Sequence, residues 1–349
     1  MDCRYLVFFH LAVGGGRMET GTSYFGVRDV DHVETDLDRF ADEGLDAVLH
    51  TFSERDRAYY TGTMTDIVEA SHDRGFETYV NPWAVGRVFG GEALSEFVGK
   101  HPDACQVLST GERIPAACFN APAFREYMRG WTRDAAGIGA DVLFWDEPHW
   151  FIASWHDEEY PEDAWACRCE HCQAAYEDEY GESMPDEQTD QVTAFREDAL
   201  LDFLDEMMTL THEEGAENAV CLLPSEDADH GLSDWERLAA NDALDVLATD
   251  PYWAIHAPDE AGEFVGYFTD LVASLAEEYD KRSQIWIQGF RLDGSDATIE
   301  DVHTATRTVV ESDVDSVFMW GYDACRIISD IACEDPEAVW NAYVDELPE

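Results

Sequence analysis

The stretch Asp141-Val142-Leu143-Phe144-Trp145-Asp146-Glu147-Pro148 decides the fold. A short apolar run ends in two carboxylates and a proline, which reads as a buried strand delivering acidic groups at its carboxyl end. An amphipathic segment, Phe124–Trp131, precedes it, and the same alternation repeats outward in both directions. Runs at Tyr5–Ala12, Ala47–Thr51, Glu77–Asn81, Asp141–Trp145, Ala219–Leu223, Leu244–Thr249, Gln284–Gln288 and Ser316–Trp320 predict eight strands. Helical patterns separate them. Val33, Leu37 and Phe40 share a face ahead of Gly44, and Met64–Ser71, Phe195–Leu210, Phe264–Leu275 and Ile299–Val310 follow, with a shorter pattern at Ser233–Leu238. Asp335-Pro336 supplies a cap and a first-turn proline before Val339, Trp340 and Tyr343. Eight such units predict an α/β chain forming one (β/α)8 or TIM barrel over residues 1–349. No glycine-rich dinucleotide fingerprint follows any strand, and Ala12-Val13-Gly14-Gly15-Gly16 lacks the spacing.

Charge narrows the partners. The chain has 76 acidic and 21 basic residues for a net charge of -55, and Lys100 and Lys281 are its only lysines. Such self-repulsion destabilises the compact state in dilute buffer and is relieved by salt, and the composition resembles that of extreme halophiles. Nucleic acid and anionic membranes are excluded as partners. Runs such as Glu177-Asp178-Glu179 read as solvated surface. No apolar stretch approaches the ~20 residues of a membrane helix. Arg4 with Tyr5–Val13 could pass for a secretory signal, but no small-residue cleavage site follows cleanly, so a first strand and a cytoplasmic location are expected.

The connection after the fourth strand, 148–191, is the longest and calls for a staple. Cys167, Cys169 and Cys172 in Cys-Arg-Cys-Glu-His-Cys lie too close together for sensible disulfides but suit one tetrahedral cation. Cys118 is the favoured fourth ligand, with His171 and His156 as alternatives. Four thiolates close the coordination shell, so structural zinc is expected, with no organic cofactor. The competing reading, three reduced surface thiols, would leave a cluster open to oxidation.

These residues resemble the clan A glycoside hydrolases, especially the zinc-bearing beta-galactosidases and related glycosidase-like barrels. The resemblance rests on the Cys-x-Cys-x2-Cys loop, on Cys118 in the context Cys118-Phe119-Asn120-Ala121-Pro122-Ala123-Phe124-Arg125-Glu126-Tyr127, on Asp146-Glu147-Pro148, and on the eight-fold alternation. It implies a glycosidase with Glu147, in place of the clan's Asn-Glu-Pro glutamate, as acid/base. Two departures stand out: Asp146 replaces asparagine, and the seventh strand ends in Ile287-Gln288-Gly289-Phe290, where the clan has its nucleophilic glutamate.

Glycosidic cleavage needs a carboxylic acid and a second carboxylate. Only Asp146, Glu147 and Asp250, in Thr249-Asp250-Pro251-Tyr252-Trp253, stand at strand ends. Crowding Asp146 against Glu147 raises one pKa, as a proton donor requires. Glu147 is the candidate acid/base and Asp250 the second carboxylate. A layout resembling the alpha-galactosidase clan would instead use Asp146 and Asp250 as nucleophile and acid/base. Each Asp or Glu before proline can also simply open a turn.

For binding a small carbohydrate, strand ends offer His10, His50, Asn81, Gln288 and Tyr322 as polar groups and Trp83, Trp253 and Trp320 as flat apolar faces. Arg87, Arg291 and Arg326 follow strands three, seven and eight, to balance neighbouring acids or to pair an anionic sugar. Two other functions compete: a sugar-binding barrel that has lost its nucleophile, suggested by Gln288, and a metal-dependent hydrolase built on His10, His50 and Asp250.

Overall fold

Alternation along each strand dictates which side chains fill the interior of the chain's central sheet and which meet the helices around it. The computed structural model describes residues 17–161, 163–258, 260–325 and 330–348. Eight parallel strands close into a barrel: β1 (Glu19–Tyr24), β2 (Ala47–Thr51), β3 (Glu77–Asn81), β4 (Val142–Asp146), β5 (Glu217–Leu222), β6 (Val246–Thr249), β7 (Arg282–Gln288) and β8 (Ser316–Trp320). Each pairs with its neighbours in sequence, and β8 pairs with β1. The helices that follow them in turn are Val30–Asp42, Thr61–His72, Pro122–Gly137, Asp190–Glu214, Glu236–Ala239, Ala261–Tyr279, Asp296–Val310 and Pro336–Val344. This is the (β/α)8 architecture read from the sequence.

The first strand is the exception. Tyr5–Ala12, read above as strand one, lies outside the described residues, and Glu19–Tyr24 holds that place in the barrel. Its small polar residues hide it from a search for apolar runs, yet a tight interior needs them. A Cβ on Gly21 would sit 2.7 Å from the Phe318 ring, and the Thr22 hydroxyl donates to the Met319 carbonyl at 3.0 Å.

The amino-terminal end of the barrel repeats four times. An aspartate just before each even strand accepts from the backbone N–H of the second residue of the preceding odd strand: Asp46 from Thr20, Asp141 from Thr78, Asp245 from Asn218 and Asp315 from Ser283. Each aspartate carbonyl then accepts from the first residue of the next odd strand: Glu77, Glu217, Arg282 and, closing the ring, Glu19. Those four first residues form the lowest interior layer, in which Arg282 pairs with Glu77 at 3.6 Å and with Glu217, while Glu19 is in hydrogen-bond contact with Glu77. Layers of four side chains from alternate strands are how such barrels fill.

Above that layer the interior is apolar, with Ala47, Leu49, Tyr79, Val142, Phe144, Ala219, Val246, Ala248, Trp286 and Phe318 buried together. Val142 and Phe144 face inward, and two residues on, Asp146 continues the same side. Asp250 stands two residues beyond inward-facing Ala248. Alternation therefore brings two acids to the carboxyl-terminal mouth from β4 and β6.

Candidate functional site

Asp146, Glu147 and Asp250 meet on the floor of a cavity of 540 Å³ at this mouth, walled by Trp155, Tyr252, Phe290 and Trp320. Asp146 is buried, and its Oδ2 accepts from Asn81 Nδ2 at 2.8 Å. Alternation alone would send Glu147 outward. It instead takes a left-handed φ of 43°, its N–H donating to the Cys221 carbonyl at 2.9 Å, and its side chain returns to the cavity. Non-glycine residues in this region are uncommon and cluster at functional sites.

Asp250, 2% exposed, is in hydrogen-bond contact with the Glu147 carboxyl, and its Oδ1 has no hydrogen-bond partner. Burial first, and then the charges of Glu147 and Asp146, push the Asp250 carboxyl well above the usual range. Burial and Glu147 do the same to Asp146, against the Asn81 hydrogen bond. Like charges brought together in this way disfavour ionisation of the more buried carboxyls, Asp146 and Asp250.

The loop after β3 completes the floor. The Gly90 N–H donates to the Asp146 carbonyl at 3.0 Å, and a Cβ there would stand 2.9 Å from Glu147 Oε2 and 3.0 Å from Asp146 Oδ2. Gly91, at φ +114°, lies so close to Trp83 that a Cβ would fall 1.7 Å from its Cδ1. These glycines carry Glu92 into the cavity, where its carboxylate accepts from Trp83 Nε1 at 3.2 Å and burial raises its pKa. Glu92 is a fourth acid that the strand-end rule does not find. Phe89-Gly90-Gly91-Glu92 was its one signal, a glycine pair before a carboxylate. His256, Ile255 and Arg291 complete the rim.

The other candidates divide. Trp320 lines the cavity, stacked on Phe25 with centroids 5.4 Å apart, and Trp83 packs tilted against Phe25, also at 5.4 Å. Asn81 acts through Asp146. Gln288 is buried with both ends of its amide engaged, Oε1 accepting from the Ala254 N–H at 3.2 Å and Nε2 donating to the Phe290 carbonyl at 3.1 Å. Trp253 is buried outside the cavity lining, and its neighbour Tyr252 stands there instead. His50 alternates with inward-facing Leu49, so it faces the helices: its Nε2 meets Ser71 Oγ at 2.8 Å, and burial drops its pKa to about 3. Tyr322 also lies outside the lining, its hydroxyl accepting from Arg39 at 3.1 Å. His10 and Arg326 lie outside the described residues. His50 and Asp250 are thus not brought together as a metal-dependent hydrolase would need.

The cysteines converge as the spacing foretold. Cys118, Cys167, Cys169 and Cys172 are buried, with their sulfurs all within 4.8 Å of one another. A hairpin, Cys105–Val107 with Arg113–Ala117, brings Cys118 to the long connection, where the Arg168 N–H donates to the Val107 carbonyl at 2.7 Å. Backbone N–H groups of Val107 and Cys169 donate to Cys167 Sγ at 3.5 and 3.4 Å, and Asn120 Nδ2 donates to Cys172 Sγ at 3.4 Å. Sulfurs at ~2.3 Å from a tetrahedral ion stand ~3.8 Å apart, so this donor set fits a metal. Among the described residues no other His, Cys, Asp or Glu group is gathered so tightly, and none of the helices is long and apolar enough to cross a membrane.

No family model and no curated protein matches this sequence. Solved structures do. The catalytic domain of a beta-amylase from Paenibacillus polymyxa aligns over 95% of this chain and 99% of its own, with a TM-score of 0.64 and 12% identity. A beta-galactosidase from the Antarctic haloarchaeon Halorubrum lacusprofundi aligns over 94% of this chain and 57% of its own, with a TM-score of 0.66 and 15% identity. An endo-1,4-beta-mannanase from Rhizomucor miehei aligns over 97% and 96%, with a TM-score of 0.60 and 11% identity. The chain spans little more than half of the beta-galactosidase and nearly all of the other two. At such identities the likeness is one of fold: this chain is a (β/α)8 barrel of the kind found in glycoside hydrolases.

Proposed function

We propose that the protein hydrolyses a glycosidic bond in a small carbohydrate, with Glu147 as acid/base and Asp250 as the second carboxylate. The observation that carries this reading is the contact of these two carboxyls, from separate strands, beneath an aromatic-walled cavity. Burial and repulsion from the neighbouring acids favour the protonated form of Asp250, so the pair holds a proton more tightly than a free carboxyl would. A leaving-group oxygen takes a proton from the pair through Glu147 as its bond to the sugar breaks, and the remaining carboxylates face the positive charge that develops on the ring. Water then adds to that carbon and returns a proton to Glu147. The aromatic walls suit the C–H face of a sugar.

The four cysteines are read as ligands of a structural zinc that staples the long connection to the hairpin; four thiolates leave no open position for substrate.

A second reading, a sugar-binding barrel without hydrolysis, is favoured by Gln288, which stands where the resemblance implies a nucleophile and spends its amide on loop backbone. Turnover of aryl glycosides in molar KCl separates the two. The unmodified protein should hydrolyse at least one, and Glu147→Gln should lower the rate by roughly 10²–10⁴-fold, the usual worth of a general acid. Sugar binding without turnover by the unmodified protein would leave the second reading in possession.

A further inference from the structure

Cleavage needs two carboxyl groups. The cavity is lined by four, Asp146, Glu147 and Asp250 on its floor and Glu92 exposed at its rim, with one guanidinium, Arg291, also exposed there. The floor is rich in acceptors: Asn81 Nδ2 is already spent on Asp146, and Asp250 leaves Oδ1 without a hydrogen-bond donor although it is 2% exposed. A buried carboxyl oxygen with no donor is costly unless a ligand supplies one. Resting on the hydrolase reading and deepening it, we propose that the substrate is cationic in its ground state: a glycoside of an amino sugar, whose ammonium group sits among these carboxylates and the aromatic rings.

An ammonium group offers three donors and a full positive charge, and it also suits the faces of Tyr252, Phe290 and Trp320. A metal ion suits the floor less well. Among the described residues the group gathered closely enough to hold a metal ion is the four cysteines, not these acids. A neutral sugar would bring no positive charge to Asp250, whose Oδ1 no donor answers.

The test compares matched ligands that differ in one group: glucosamine with glucose and N-acetylglucosamine, and galactosamine with galactose and N-acetylgalactosamine. Binding to the full chain in molar KCl is followed by calorimetry and by the fluorescence of Trp155 and Trp320. In at least one series the free amine should bind at least about 10-fold tighter than both neutral members, as charge-assisted hydrogen bonds allow. Glu92→Gln and Asp146→Asn should each cut that preference at least about 3-fold, with less effect on the neutral sugars. Equal binding of amine and neutral members, no binding of any amine, or a preference indifferent to both substitutions would overturn the proposal. A preference for the amine with no hydrolysis of charged or neutral glycosides would keep this inference and remove the hydrolase reading. Hydrolysis of neutral glycosides without the preference would do the reverse.

Discussion

Gly90→Ala should impair the chemistry while sparing the fold. The added Cβ would stand 2.9 Å from Glu147 Oε2, 3.0 Å from Asp146 Cγ and 3.0 Å from Asp146 Oδ2, where ordinary contacts run from 3.4 to 4 Å. Gly90 does not adopt a left-handed φ, so the penalty is steric alone. All three crowded atoms belong to the two carboxyls, and relief requires moving them by roughly 0.5 Å, an overpacking that costs about 1–3 kcal/mol. The lower entropy of the unfolded alanine chain returns about 0.4–1 kcal/mol. A net cost near ~1 kcal/mol shifts Tm by only about 2–4 °C. Catalysis is less forgiving: a displacement of ~1 Å can cost ~10²-fold, so half of that should lower kcat/KM by roughly tenfold. Steady-state kinetics on a hydrolysed aryl glycoside, with calorimetric melting, would measure both effects. Gly62→Ala is the control, because it lies in the helix Thr61–His72 with nothing within 4 Å of its Cβ. It should gain about 0.5–1 kcal/mol and keep full activity. Undiminished turnover by Gly90→Ala would refute the claim that this loop holds the two carboxyls in place.

Asp250→Asn should raise Tm at neutral pH by about 2 °C or more, in the usual range for relieving a destabilised functional group. Because burial and Glu147 raise the folded carboxyl's pKa, ionisation favours the unfolded chain once pH exceeds the unfolded value, and the gain should fade as pH drops below that value; an equal gain at every pH would contradict this account. Cys169→Ser should lower the zinc content measured by mass spectrometry from about one per chain and lower Tm, since binding to a structural site stabilises the fold directly. Metal content and melting unchanged by the substitution would exclude the staple. Asp141→Ala removes three contacts at 2.8 Å, from the Thr78 N–H, the Thr78 hydroxyl and His72 Nε2. With its side chain 42% exposed, the loss should be held to about 1–2 kcal/mol in chemical denaturation, and an effect no larger than ~0.5 kcal/mol would show that the fourfold aspartate ring is dispensable.

Much of this site is a matter of counting along strands. Val142, Phe144 and Asp146 share one side of β4, so Asp146 enters the barrel by the same rule that buries the first two. Counting from Leu49 likewise turns His50 toward the helices, a consequence that a simple inventory of strand-end polar residues overlooks. Cys118 was found by chemistry, since three thiols near one another ask for a fourth, although the hairpin that delivers it was not foreseen. The strand Glu19–Tyr24 escaped because hydrophobicity marks a strand only where there is room for bulk, and Gly21 has to leave space for Phe318.

The order of strands and helices, the acidic mouth and the metal-like cysteine cluster were set by local pattern, because alternation, capping and ligand spacing act over a few residues. Tertiary structure alone decided that Glu147 turns back through a left-handed φ to meet Asp250, that Glu92 arrives on a glycine loop, and that Gln288 is consumed by backbone. Each of these depends on groups far apart in the chain competing for one small volume, and no count of neighbouring residues contains that competition.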